Sequence, residues 1–378
     1  MTTTLYLVQV ALIAGVALTI TWRMNWFHKV QICLWALAVS VLVLRFGVTG
    51  QLDFYSNDQR YYRATVVSFT SNPLLDIDWL TSGSRFPFTA PAVFLYHTGI
   101  EPTLALKSVA LICLLALTRN VLVFDLSNTM KARLRILLLT ACGPIGIFFS
   151  ALALRETMMM LCTTRFIFSK SPPERVLVLF LLFALRPHLA VSLLAASIAV
   201  TTWSWFLRGR SRIPYATLLW VISATMFGHW IYTVGTEVLE GASDVTGHNW
   251  GIKPVVRIAS NFFGLQFLTA ESDTVVLSLA ALIGFRLILI ETILIPTLFT
   301  VAMFVQRQSR QPAALVALVA FSTYVALVTN TDFNSFRQNI PFMPAMGLVV
   351  MSTSRNASLD SANSSSQPET CDLAEQSS

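Results

Sequence analysis

Two apolar runs in this chain, Ile136 to Phe168 and Val176 to Leu207, are each interrupted near the middle by charged residues. Arg155-Glu156 breaks the first, and Arg186-Pro187-His188 breaks the second. An ionisable side chain inside apolar sequence of membrane length costs about 2.5 to 3.5 kcal/mol on insertion scales, so such residues mark places where a function offsets the cost. Hydrocarbon offers the backbone no hydrogen-bond partner, which restricts a spanning chain to helices or a closed barrel. Strand-like alternation is absent, and helices remain.

Composition points the same way. The chain is 55% hydrophobic and 12% charged, where a soluble domain carries roughly 25% charged residues. The predicted fold is all-α, a polytopic integral membrane protein of the plasma (inner) membrane. The formal charge of +7 is not gathered into one patch. Arg23 with Lys29, Lys131 with Arg133 and Arg135, Arg208 with Arg210 and Arg212, and Arg307 with Arg310 recur between apolar runs. That is the positive-inside pattern of membrane topology, and it gives no reason to expect a nucleic-acid partner.

Leu5 to Thr21 and Val30 to Val48 form the first two spans, with their basic junction in the cytoplasm and the N-terminus outside. Leu104 to Phe124, Pro214 to Val234, Val275 to Val305, Ala313 to Thr329 and Ile340 to Met351 are further spans. Residues 1–351 are therefore one transmembrane helical domain with outer loops at 50–89 and 235–274. Residues 352–378, rich in Ser, Asn and Gln, read as a disordered cytoplasmic tail. Each interrupted run would be about 50 Å long as a single helix, against a hydrocarbon core of about 30 Å. Either each run is two short helices meeting at an apex, with Pro187 as one breaker, or each is a single tilted crossing with an overhang. The first version gives about eleven membrane segments and the second gives about nine. Lys170 and Arg175 between the runs favour the first, with both apices on the outer side.

The five cysteines are scattered, four of them in apolar runs, and show no metal-ligand spacing. They read as small apolar residues, and no metal or other cofactor is called for. A glycine-rich phosphate loop, a nucleophile elbow and HExxH are all missing, which takes away the signatures of an ATPase, a serine hydrolase and a zinc protease.

Charges outside the basic turns gather on the outer side: Asp53, Asp58, Arg60, Arg63, Asp76, Asp78 and Arg85 in the first outer segment, the two apices, and Arg337 in the last outer turn. Outer arginines run against the positive-inside trend, and the planar guanidinium suits phosphate or carboxylate recognition. Arg155, Arg186 and Arg337 are the candidates for that task. The structural alternative pairs Arg155 with Glu156, Arg60 with Asp58 and Arg286 with Glu291. Asp53 and Asp58 stand just past the second span; one of them can act as a general base toward a sugar hydroxyl, or the two can hold a divalent cation. Tyr61 and Tyr62 beside them can stack on a sugar ring or anchor the loop at the interface. Glu156 and His188 are the other candidate bases, and the residues alone do not choose among the four.

Three segments, GVTGQLDFYSNDQRYY after the second span, ALRETMMML at the first apex and LRPHLAVSLL at the second, carry a resemblance. In order and spacing they resemble the polysaccharide polymerases of the EpsG and Wzy type. The matching positions are Asp58 with Tyr62, Arg155, His188 and the late Arg337 in SFRQNIPFMPAM. The resemblance implies an enzyme that joins polyprenyl-diphosphate-linked repeat units at the outer face of the bacterial plasma membrane. It implies arginines on the diphosphate, an acidic or imidazole base on the attacking hydroxyl, and other polysaccharide-assembly proteins as partners. The same landmarks resemble, less closely, GT-C glycosyltransferases that use polyprenyl-phosphate sugars. A transporter or flippase of an anionic lipid-linked glycan is the reading from a different class, and a non-enzymatic membrane assembly partner is the last.

Overall fold

The computed structural model describes residues 2–20, 22, 26–48, 57–69, 85–124, 144–207, 279–304, 312–329 and 339–350. Among these residues the structure is helical, with no strand. In chain order the helices are α1 (Thr2–Ile20), α2 (Trp26–Val48), α3 (Asn57–Ser68), α4 (Phe86–His97), α5 (Pro102–Phe124), α6 (Pro144–Ala151), α7 (Glu156–Phe168) and α8 (Pro172–Leu185). They continue with α9 (Pro187–Leu207), α10 (Leu279–Phe304), α11 (Pro312–Thr329) and α12 (Ile340–Val350), whose first turn is 3₁₀. The span expected at 214–234 and the second outer loop at 235–274 lie outside the described residues, as does the tail.

Helix α5 sits at the centre, packed by α1, α2, α3, α4, α6 and α7. Its stretch Pro102–Val121 is, among the described residues, the one long and apolar enough to cross a membrane. Shorter apolar stretches are Gln9–Thr19, Pro187–Trp203, Ile290–Met303, Pro312–Val325 and Ile340–Val350. Outer helices are apolar on both faces. On α8, Val178, Leu182 and Leu185 are buried while Val176, Leu177, Phe180 and Phe183 are exposed; on α2, Leu34, Leu37 and Val41 also face outward. A helix that is hydrophobic all round belongs in a protein core or in lipid, not against water.

Both interrupted runs are broken at their charges, for two different local reasons. In the second, Pro187 disfavours helical backbone at the residue before it, and Arg186 is extended at φ −160, ψ 95. The Arg186 N–H still closes α8 on the Leu182 carbonyl, and its own carbonyl opens α9 by accepting from Leu189 and Ala190. In the first run, α6 ends in a Schellman turn: the Leu154 N–H reaches the Phe149 carbonyl and the Ala153 N–H reaches Ser150. The left-handed residue of that turn is Ala153 at φ 55, where glycine is usual. Glu291 of α10 caps the start of α6, accepting the Ile145 N–H at 3.0 Å. The partner expected for Glu291 was Arg286, whose side chain lies outside the described residues.

The turn between α7 and α8 carries Lys170 and Arg175 and is tied by side chains. Arg165 pairs with Glu174, the Ser169 hydroxyl donates to Glu174 at 2.6 Å, and Arg175 Nε donates to the Ser169 carbonyl at 2.8 Å. The Ser169 hydroxyl, and after it Arg165, hold the Glu174 carboxyl below its ordinary value.

The segment 50–89, expected as an outer loop, contains parts of two helices among its described residues. Within it α3 is a short amphipathic helix: Gln59, Tyr62, Thr65 and Val66 are buried at helical spacing, whereas Arg60, Tyr61 and Arg63 are exposed. Asp58 in its first turn complements the helix dipole. Helix α4 begins inside the same segment, preceded by Arg85, and closes in a Schellman turn with Gly99 at φ 91. Arg63 of α3 pairs with Glu101 before α5 at 3.5 Å.

Candidate functional site

The two breaks meet. Pro187 puts the Leu189 N–H on the Arg186 carbonyl, which frees the Leu185 carbonyl at the end of α8. Arg155, at the start of α7, donates to that carbonyl through a terminal guanidinium nitrogen at 2.6 Å. A cation at a helix C-terminus also meets the negative end of the helix dipole. One break thus supplies the acceptor and the other supplies the donor. Arg155 is 9% exposed, and its Nε has no hydrogen-bond partner among the described residues. Glu156, the first residue of α7, is 1% exposed.

Near this junction lie Tyr62 of α3 and Arg85 at the entry to α4. Arg155, Glu156, Asp58 and Arg85 are all within electrostatic reach of the Tyr62 hydroxyl. Burial, the dominant influence, pushes the Tyr62 phenol up to about 12. Tyr62 is therefore a neutral phenol near neutral pH and not a base. Burial first, and then the like charge of Arg155, draw the Arg85 guanidinium below its ordinary value. Arg85 holds a left-handed backbone at φ 56, rare for a residue with a Cβ. Strained backbone of this kind costs about 1 to 3 kcal/mol and clusters at functional sites. Arg85 and Ala153 are the two non-glycine examples among the described residues, one beside each half of this cluster.

The second break borders the same cluster. Arg186 lies over the Tyr324 ring of α11, 5.7 Å from guanidinium carbon to ring centroid. Tyr324 is fully buried, rests against Phe342 of α12, and has Arg155 and Glu156 in electrostatic reach as well. Helix α9, which begins at this apex, packs closely along α11. His188 is half-buried beside Arg186, and its carbonyl accepts the Ser192 hydroxyl at 2.8 Å.

Asp58, Tyr62, Arg155, Glu156, Arg186 and His188 are thus brought into one region, although they come from three separated stretches of chain. The structure bears on two of the sequence-based roles. Tyr62 is 2% exposed and edge-on to Tyr61 and Phe88, so it offers no open ring to a sugar, whereas Tyr61 is exposed. Arg155 also has a structural task, because one end of its guanidinium ties the two breaks together while its Nε is left without a hydrogen-bond partner among the described residues. Asp53 and Arg337 lie outside the described residues, so the geometry of the Asp53 and Asp58 pair as a cation site is not described. Among the described residues no cluster of three or more His, Cys, Asp or Glu is arranged to hold a metal.

Two members of the cluster were not singled out as site residues from sequence. Arg85 had a usable signal, an arginine on the outer side of the positive-inside pattern. Tyr324 had only a weak one, a hydroxyl inside the apolar run ALVAFSTYVALV. The chain matches no protein-family model, and no curated protein or solved structure matches it.

Proposed function

We propose that this protein is a multi-pass enzyme of the bacterial plasma membrane that transfers glycosyl units from polyprenyl-(di)phosphate carriers at the outer face. The proposed activity is polymerisation of a surface polysaccharide. The observation that carries this reading is the convergence of three guanidiniums, Arg85, Arg155 and Arg186, with Asp58 and Glu156 around buried phenols. Such a cluster offers preorganised positive charge for a leaving diphosphate and carboxylates for the attacking hydroxyl. Fixed charge aimed at a developing anion usually lowers a reaction barrier more than any other single effect. Asp58, Glu156 and His188 are the candidate bases within it.

The accompanying topology has about eleven membrane segments, with the Lys170 to Arg175 turn on the cytoplasmic side and both apices beneath the outer α3. The outward Val176, Leu177, Phe180 and Phe183 of α8 support a lipid-facing surface. Exposed Trp22 and Trp26 at the α1 to α2 turn, with Lys29 5.7 Å over the Trp22 ring, support an interfacial position there.

Lipid-linked oligosaccharide profiling of a deletion strain tests the reading. A polymerase deletion accumulates single completed repeat units on the carrier. Incomplete units would assign a single-sugar transferase instead, and an unchanged profile would remove glycosyl transfer altogether.

A further inference from the structure

Among the described residues, the Tyr324 hydroxyl and Arg155 Nε are buried donors of the cluster without a hydrogen-bond partner. Buried polar groups are hydrogen-bonded in the great majority of cases, so a donor left over at a charged cluster indicates an occupant supplied from outside the chain. We infer that Tyr324 is a binding residue of the site, its ring face holding Arg186 and its hydroxyl donating, together with Arg155 Nε, to an anionic oxygen of a diphosphate. The inference rests on the reading of the site as one that takes lipid diphosphates.

The charges nearby favour an anion over a neutral group. Arg155 and Arg186 lie within reach of the Tyr324 hydroxyl with one carboxylate, Glu156, opposing them. Adding Arg85 and Asp58 around the neighbouring Tyr62 leaves guanidiniums in excess. A phenol is suited to this position because it supplies a directed donor while its ring receives a cation, which an aliphatic or a hydroxymethyl side chain cannot do together. Tyr324 is also a better-defined anchor than a polar residue on a loop, since α11 is packed along α9 and the ring is wedged against Phe342.

The test uses the full chain in lipid nanodiscs with inorganic pyrophosphate as the probe. Wild type is expected to bind pyrophosphate. Tyr324→Phe keeps the ring under Arg186 and is expected to weaken binding tenfold or more, about the size of a hydrogen bond to a charged group, with the melting temperature of the unliganded protein unchanged. Tyr324→Leu removes the ring as well, and is expected to lower both affinity and melting temperature. Equal pyrophosphate affinity in wild type and Tyr324→Phe overturns the inference, as does failure of wild type to bind. Loss of binding when phosphatidylcholine nanodiscs are replaced by phosphatidylglycerol ones overturns it in favour of a bilayer headgroup. The glycan profile of the deletion strain reads the enzymatic proposal separately. A Tyr324-dependent pyrophosphate site with an unchanged profile keeps the subsite and discards the glycosyl-transfer reading; the reverse pair of results does the opposite.

Discussion

Replacing Arg155 with leucine is expected to cost the fold about 3 to 5 kcal/mol, the usual penalty for removing one member of a buried charge cluster. The cost has two sources. The Leu185 carbonyl, freed by the proline break, loses the donor that reaches it at 2.6 Å, and a buried acceptor without a partner costs about 1 to 3 kcal/mol. Glu156, 1% exposed, loses the positive charge beside it in sequence. Thermal unfolding in nanodiscs checks this, with a drop of several degrees in melting temperature for Arg155→Leu. Arg155→Lys keeps the charge but not the fork, and is expected to fall between. An unchanged melting temperature for Arg155→Leu would mean that the link between the two breaks does not hold them together.

On the proposed glycosyl transfer, Arg186→Lys is expected to lower activity and to leave the fold unchanged. Arg186 is half-buried and its guanidinium is stacked on Tyr324, a geometry that an ammonium, being a compact point charge, reproduces poorly. Removing one preorganised donor from a site that stabilises developing negative charge typically lowers turnover roughly 100- to 1000-fold. The ratio of long polysaccharide to carrier-linked single repeat units, in cells with wild-type levels of the protein, measures it. Full-length polysaccharide from Arg186→Lys would remove Arg186 from the chemistry.

Much of this arrangement could be read from the chain because its causes are local. Apolar length marked the helices: a span expected at Val30 to Val48 corresponds to α2 (Trp26–Val48), and one at Ala313 to Thr329 to α11. The breaks at Arg155 and Arg186 follow from charge and from Pro187, both visible in the sequence. Helix α3 was missed because twelve residues of mixed polarity fall below any membrane-length window, and its apolar face emerges only at a spacing of three and four. Tyr324 was missed for a different reason. Its neighbours Arg186 and Phe342 come from distant stretches of chain, and nothing in the run around it states which helix it will meet. The left-handed backbone at Arg85 and Ala153 was equally hidden, since neither is a residue that announces such a conformation.

On the proposed topology, the shortness of α8 has a consequence for the surrounding lipid. Fourteen helical residues span about 21 Å, roughly a third less than the hydrocarbon thickness. In the proposed topology the Arg165, Ser169 and Glu174 ties hold one end at the headgroups, and Arg186 at the other end hangs below the opposite surface, inside the acyl region of an unperturbed bilayer. Water and headgroups must dip toward it, or the leaflet must thin, and either deformation is a property of the membrane as much as of the protein. Acyl-chain length then becomes a control on the site: turnover in vesicles of thick bilayers is expected to fall below that in thin ones. Equal rates across the series would place Arg186 at bulk water, and the membrane would be only a solvent for this fold instead of one of its working parts.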